Sequence, residues 1–375
     1  MANYTPTSKD IADMSNYLLA SGLNQTELNR FMTQLNNERV PVRYDALNAN
    51  QLGSITPGTD VVFVQGGGSI TLTNSPPTVA NDLNALIFNT NSAVNLQLPT
   101  LFGGTVVFGG GNDVVTTRGS KALQITAGAG NDTVTTSNGS DTIDAGEGND
   151  VINAGNGSNA VRAGEGNNRV ITGTGADTVT AGAGDDTIST GAGNDLISAG
   201  DGNNSIDAGA GNNTVITGTG KDTVTTGTGH DSINSGAGDD SINSGSGNDS
   251  VNAGAGNDSI NTGAGHDSVT AGAGNDTINT GVGNDSVVIS NDIGNNIITI
   301  DGGAGIDKLF LSDLNAQVSS VQAIGRNGLV IGLTDHTTLH VSNVETFAVD
   351  FNHNGVIDGA SETVTLTGLL NHNFI

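Results

Sequence analysis

The chain has no cysteine and no tryptophan, and aromatic residues make up only 3% of its 375 positions. Without thiols there are no disulfides and no thiolate metal sites, which suits an oxidising exterior. Without large rings a big irregular core cannot be filled, so the interior has to come from small branched side chains set in a repeating pattern. Basic residues are scarce too: 11 Lys and Arg stand against 38 Asp and Glu, a formal net charge of −27. That balance argues against nucleic acid or an anionic membrane surface as main partner and makes cations the natural one. No apolar run is long enough for a transmembrane helix. The opening MANYTPTSKD lacks the basic-then-apolar pattern of a secretory signal.

Glycine is what the chain has in excess, 57 residues, and it is placed by rule. From Ala127 to Val288 one nine-residue phrase repeats eighteen times without insertion or deletion, its purest copies being AGAGNDTVT from Ala127 and AGAGNDSIN from Ala253. With the positions numbered as slots, slot two is Gly in seventeen copies (Ser137 is the exception) and slot four is Gly in all eighteen. Slot eight is Val or Ile throughout, and slot six is Asp in fourteen copies and Asn in four. Disorder constrains composition but not register, so this strictness marks a folded repeat.

Slots one to six place glycine where the backbone has to turn through conformations closed to other residues. Slots seven to nine are β-formers whose central Val or Ile points one way while its neighbours point the other. A turn followed by a three-residue strand, repeated, winds a solenoid with the slot-eight column as its core and the Thr, Ser and Asn of slots seven and nine outside. Each turn also gathers backbone carbonyls and one carboxylate, an all-oxygen set that suits calcium better than magnesium, which demands stricter geometry.

The phrase closely resembles the repeats-in-toxin (RTX) nonapeptide G-G-x-G-x-D-x-U-x, with Ala, Thr or Ser in place of the first Gly. The resemblance runs from Phe108 to about Leu309 and implies an all-β fold, a calcium-loaded parallel β-roll. It also implies two nonapeptides per turn, with each ion held between loops eighteen residues apart. The calcium ligands expected on it are the slot-six acids Asp113, Asp132, Asp141, Asp150, Asp177, Asp186, Asp195, Asp222, Asp231, Asp240, Asp249, Asp258, Asp267, Asp276, Asp285 and Asp307.

At a spacing of eighteen, two aspartates meet in eight loop pairs: 132 with 150, 177 with 195, 222 with 240, 231 with 249, 240 with 258, 249 with 267, 258 with 276, and 267 with 285. Asn159 and Asn168, and again Asn204 and Asn213, remove the carboxylate from both halves of one turn. The expectation is a tight half from Asp222 to Asp285 and a weaker half before it. The two Asn pairs lie 45 residues apart inside echoing sequence, which a five-repeat duplication also explains. Between Ala127 and Val288, 21 Asp and Glu oppose Arg162, Arg169 and Lys221, a net of −18. Eight calcium ions would bring +16. Without metal the stacked carboxylates repel one another, so calcium binding is expected to supply folding energy.

The flanks are different material. Residues 1–50 read as a small helical segment for capping or docking, with Ile11, Met14 and Leu18 on one stripe and Leu28, Phe31, Met32 and Leu35 on a second. Residues 51–107 read as an irregular β approach, 108–310 as the roll, and 311–375 as a C-terminal β cap where Leu311, Phe347 and Phe351 continue the return of bulky groups begun at Phe310. Asp350, Asn352, Asn354 and Asp358 form an EF-hand-like run that fits either an extra calcium loop or a polar Asn-Gly turn. His336 and His340 could share a strand face. His230 and His266 fall in slot five, toward solvent.

Neither Gly-x-Ser-x-Gly nor His-Glu-x-x-His occurs, and no catalytic constellation precedes the roll. The expectation is therefore a non-enzymatic, calcium-binding extracellular or cell-surface protein. The resemblance implies export by a type I system reading a C-terminal signal, with no N-terminal signal peptide. A homo-oligomer or polymer forming a surface layer, sheath or filament is the leading reading, and an adhesin that binds a cell-surface glycan is the alternative. An ice-binding surface is less favoured, since slot three is most often Ala and carries Thr only at Thr174, Thr219 and Thr228, and an enzyme accessory subunit is less favoured as well.

Overall fold

A computed structural model describes residues 44–48, 61–65, 67–71, 83–289, 295–311, 318–324, 327–349 and 363–365. Among them every regular element is a β-strand, and no helix is long and apolar enough to cross a membrane. The expected N-terminal helices, the Asp350–Glu362 run with Asn352, Asn354 and Asp358, and the C-terminal signal lie outside the described residues. The chain forms two compact units, Met1–Ala181 and Gly182–Ile375, each a parallel β-solenoid.

In the first unit one stack of parallel strands runs through Tyr44–Asn48, Val61–Gln65, Ala85–Asn89, Thr105–Val107, Gln124–Ala129, Thr142–Glu147, Ala160–Arg162 and Thr178–Thr180. A second stack contains Gly68–Thr71, Val94–Gln97, Val114–Thr116, Thr133–Thr135, Val151–Gly155 and Arg169–Thr172. The described strands of the approach to the repeats thus already pair in regular parallel ladders. Paired residues Tyr44, Val61, Ala85, Thr105, Gln124 and Thr142 are separated by 17, 24, 20, 19 and then 18 positions, so from Val61 onward the spacing shortens to eighteen while the pairing direction stays constant.

The second unit repeats the plan from Thr187–Ser189 and Leu196–Gly200 onward. Register is maintained turn by turn, as in Ser250↔Ser268, Val251↔Val269 and Asn252↔Thr270. The run ends when Ile297–Asp301 pairs with Thr338–Ser342. That strand is closed by antiparallel pairing to Gly328–Leu333, which pairs in turn with Val318–Ile324. Thr346–Val349 likewise joins Lys308–Leu311 in parallel and is then paired antiparallel by Thr363–Thr365, so each stack receives one more parallel strand before the pairing direction changes.

Burial explains why these short strands hold. In Ser241–Asn243 and Ser259–Asn261 the outer residues are exposed and the central Ile is buried. Val134, Ile143, Ile152, Val215 and Val269 are likewise all but inaccessible, each contributing roughly 1.5–3 kcal/mol by burial. Where the repeat is irregular, rings fill the wider interior: Phe88 stacks on Phe108 with centroids 4.9 Å apart.

Slot one forms a second inward column beside slot eight. It is filled by fully buried Ala127, Ala145 and Ala253 or by buried Thr and Ser. The hydroxyls donate across turns, Thr226 to Ser244 O at 3.0 Å, Ser235 to Ala253 O at 2.8 Å and Thr262 to Thr280 O at 3.0 Å. Ala, Thr and Ser share a small volume, and an OH is tolerated inside because a carbonyl one turn on accepts it.

Candidate metal centre

Each slot-six side chain turns inward at the end of its loop. One carboxylate oxygen accepts the backbone N–H of the slot-six residue one turn earlier. Asp132 N–H donates to Asp150 Oδ1 at 2.7 Å, Asp222 to Asp240 at 2.8 Å, Asp231 to Asp249, Asp240 to Asp258 and Asp249 to Asp267 each at 2.9 Å, Asp258 to Asp276 at 3.0 Å, and Asp267 to Asp285 at 2.9 Å. Seven of the eight pairs expected at a spacing of eighteen therefore meet directly. Asp177 closes the first unit and Asp195 lies early in the second.

The other oxygen is left over. The Oδ2 atoms of Asp113, Asp132, Asp141 and Asp150 in the first unit are buried without a hydrogen-bond donor. So are those of Asp222, Asp231, Asp240, Asp249, Asp258, Asp267, Asp276, Asp285 and Asp307 in the second. Asp177, Asp186 and Asp195 are equally buried. A buried carboxylate oxygen with no proton facing it is costly unless a cation completes it.

Burial is accordingly the main influence on these groups. It pushes Asp113 and Asp258 up to about 7, against 3.8 ordinarily, and Asp132 and Asp307 up to about 6. The backbone N–H on each Oδ1 pulls the other way, and neighbouring carboxylates add to the rise. Asp141, Asp150, Asp222, Asp231, Asp240, Asp267 and Asp276 are raised for the same first reason, although the slot-one hydroxyls of Thr136, Thr217, Thr226, Ser235 and Thr262 pull Asp141, Asp222, Asp231, Asp240 and Asp267 back down.

Glycine makes the loops possible. At slot two, Gly254 has φ +94°, and a Cβ on it would lie 1.8 Å from Gly236 O one turn back. Turns stack so closely that carbonyls line the loop interior. Among the described residues no three His, Cys, Asp or Glu side chains converge, so a cation here would be held by carboxylate together with backbone carbonyls.

Two features escaped sequence reasoning. Asp285 N–H donates to Asp307 Oδ1 at 2.8 Å, and Asp307 N–H then donates to Glu345 Oε2 at 2.8 Å. Glu345 thus takes the slot-six place at the end of the run, 38 residues on. Thr346↔Lys308 pairing could have revealed it only once the intervening hairpin was known. Slot five forms an exposed ladder of its own, in which Asn149 N–H donates to Asn131 Oδ1 at 2.8 Å. His230 and His266 belong to it: their Nδ1 atoms accept the N–H of Asn248 at 2.7 Å and of Asn284 at 2.9 Å.

The suggested His336 and His340 pair does not share a strand. His336 sits in a turn at φ +74°, whereas His340 lies within Thr338–Ser342.

Six overlapping segments, residues 126–161, 162–197, 181–215, 189–224, 216–251 and 252–287, match the family described as RTX calcium-binding nonapeptide repeat. No curated protein matches the chain.

Proposed function

Residues 126–287 being a run of RTX calcium-binding nonapeptide repeats, we propose that the chain is a structural protein that folds on meeting calcium outside the cell. The observation that carries this reading is the set of buried, donorless Oδ2 atoms repeated along both units. Calcium would be held by Oδ2 of the slot-six aspartates with carbonyls of the glycine loops, and it would supply the positive charge that these carboxylates lack. Hard oxygen donors in flexible loops match calcium's preferences. Because the unfolded chain has no preformed site, the binding energy becomes folding energy. Low calcium inside a cell and millimolar calcium outside would keep the chain unfolded for export through a type I route and fold it on arrival.

Once folded, the protein is proposed to associate with copies of itself in a surface layer, sheath or filament. Support comes from the exposed, regularly spaced Ser, Thr and Asn ranks of the strands. Asn252 Nδ2 donates to Asn234 Oδ1 at 3.2 Å, and Asn261 to Asn243 at 3.1 Å, so these faces are ordered before any partner arrives. An adhesive role toward a cell-surface glycan is the alternative, with its site on the irregular flanks rather than on these ranks. The sequence has no catalytic constellation, and no enzymatic role is proposed.

Circular dichroism at pH 7.5 in chelator and in millimolar calcium tests the first part: at that pH strand signal should develop only with calcium, and equal signals would refute calcium-driven folding. Electron microscopy of purified protein across a calcium series tests the second. Ordered arrays are expected, and dispersed monomers at every concentration would leave the glycan-binding reading in its place.

A further inference from the structure

The four loops carrying Asn at slot six are closed differently from the Asp loops. The Asn side-chain oxygen does what Asp Oδ1 does: Oδ1 of Asn159, Asn168, Asn204 and Asn213 accepts the N–H of Asp141, Asp150, Asp186 and Asp195, each at 3.0 Å. With that oxygen fixed, the amide nitrogen falls where an aspartate has its unpartnered Oδ2. There it donates to the loop's own carbonyls. Asn159 Nδ2 lies 3.2 Å from Gly155 O and 2.9 Å from Gly157 O, and Asn168 Nδ2 lies 3.2 Å from Gly164 O and 2.9 Å from Gly166 O.

Asn204 repeats the arrangement in the second unit, 3.1 Å from both Gly200 O and Gly202 O. Asn213 varies it, reaching Gly211 O at 3.1 Å and Thr226 O at 3.4 Å. All four side chains are at most 3% exposed, so water does not compete for these bonds.

An aspartate loop therefore presents an oxygen where an asparagine loop presents two N–H protons. The first arrangement needs a cation. The second is already satisfied and neutral, and its protons point at the carbonyls a cation would use. Rotating the amide to offer its oxygen would bring NH2 against the N–H of the slot-six residue one turn back, leaving a buried donor unpaired. Asparagine is therefore not a weaker ligand here but a replacement for the ion.

We propose that the loops of Asn159, Asn168, Asn204 and Asn213 take no calcium, the side-chain amide closing each loop in the ion's place. Asn159 and Asn168 occupy consecutive loops, as do Asn204 and Asn213, so each unit contains one complete turn whose closure is independent of calcium. Slot six then sets how many ions the protein takes and where, one ion to each aspartate loop rather than one to each pair of aspartates eighteen residues apart. This rests on the calcium reading above and extends it to the chain's own substitute for the metal.

The test counts calcium ions per full-length chain by native mass spectrometry at saturating calcium, alongside calcium titrations followed by circular dichroism. Asn204→Asp with Asn213→Asp should bind two more ions than the parent and require more calcium to fold. Asp240→Asn with Asp249→Asn should bind two fewer, still reach the parent strand signal, and require less calcium to reach it. The proposal is overturned if the first variant gains no ion, or if the second loses none or cannot fold at any calcium concentration. A parent that binds no calcium would instead overturn the calcium reading, an outcome separate from any of these.

Discussion

Glycine at slot four is needed for two independent reasons. Gly256 has φ +143°, and a Cβ on it would stand 1.9 Å from the carbonyl oxygen of Gly238. Alanine would meet both an unfavourable backbone angle and a backbone oxygen that cannot move without shifting the previous turn. Gly256→Ala is expected to cost well over about 1 kcal/mol, the ordinary scale of a glycine conformational effect, and to move the calcium midpoint of the dichroism titration upward. Ser137→Gly is the control. Ser137 occupies slot two yet is not among the described residues with positive φ, so its replacement should change the midpoint little. Individual residues also mark where sequence reasoning stops. Repetition made the inward Val and Ile and the slot-six acids readable, because strict periodicity reports a constraint. The inward slot-one hydroxyls were not readable, since Ala, Thr and Ser at one position say nothing of direction until Thr262 Oγ1 is seen on Thr280 O. Asn at slot six read only as lost charge, because its new hydrogen bonds depend on where the Gly carbonyls point.

At the scale of the loop, the raised slot-six carboxyls tie stability to pH. Asp113 and Asp258 are pushed up to about 7 and Asp132 up to about 6, against 3.8 for the unperturbed group. Between 3.8 and about 7 the metal-free folded chain therefore holds more protons than the unfolded one. Folding stability then falls as pH rises through that window. Below 3.8 both states are protonated and the penalty vanishes; above about 7 it is complete. In chelator, strand content should accordingly be greater at pH 4.5 than at pH 7.5. Calcium binding should show the opposite trend, weakening as acid protonates its ligands. Dichroism and calorimetric titration at the two pH values check both halves, and a metal-free strand signal that rises with pH would show that burial does not govern these groups. The loop is also the element whose pairing was most readable, since a constant spacing of eighteen predicts Asp240 over Asp258 directly. Glu345 escaped because the hairpin lengthens that spacing to 38, and a period cannot be recognised across an insertion of its own size.

At the scale of the whole chain, a solenoid has to end, and the second unit ends by changing strand direction. Ile297–Asp301 receives Thr338–Ser342 in parallel, after which Gly328–Leu333 and Val318–Ile324 continue antiparallel. Leu329, Ile331 and Leu333 are buried there, so the hairpin covers apolar surface as well as hydrogen-bonding groups. An uncovered strand edge is a template for pairing with another chain, and repeat arrays depend on terminal caps for solubility. Deleting residues 318–349 removes that cover and also removes Glu345 from Asp307. The deletion variant should still gain strand signal in calcium, because the loops from Asp222 to Asp285 are intact. It should then associate irregularly, seen as light scattering that appears with calcium and disperses in chelator. Electron microscopy separates this from the assembly proposed for the parent, in which ordered arrays form through strand faces while the hairpin, with Val318–Ile324 as its outermost strand, stays in place. A variant that remains monomeric in calcium would mean that the hairpin does not protect the end of the stack.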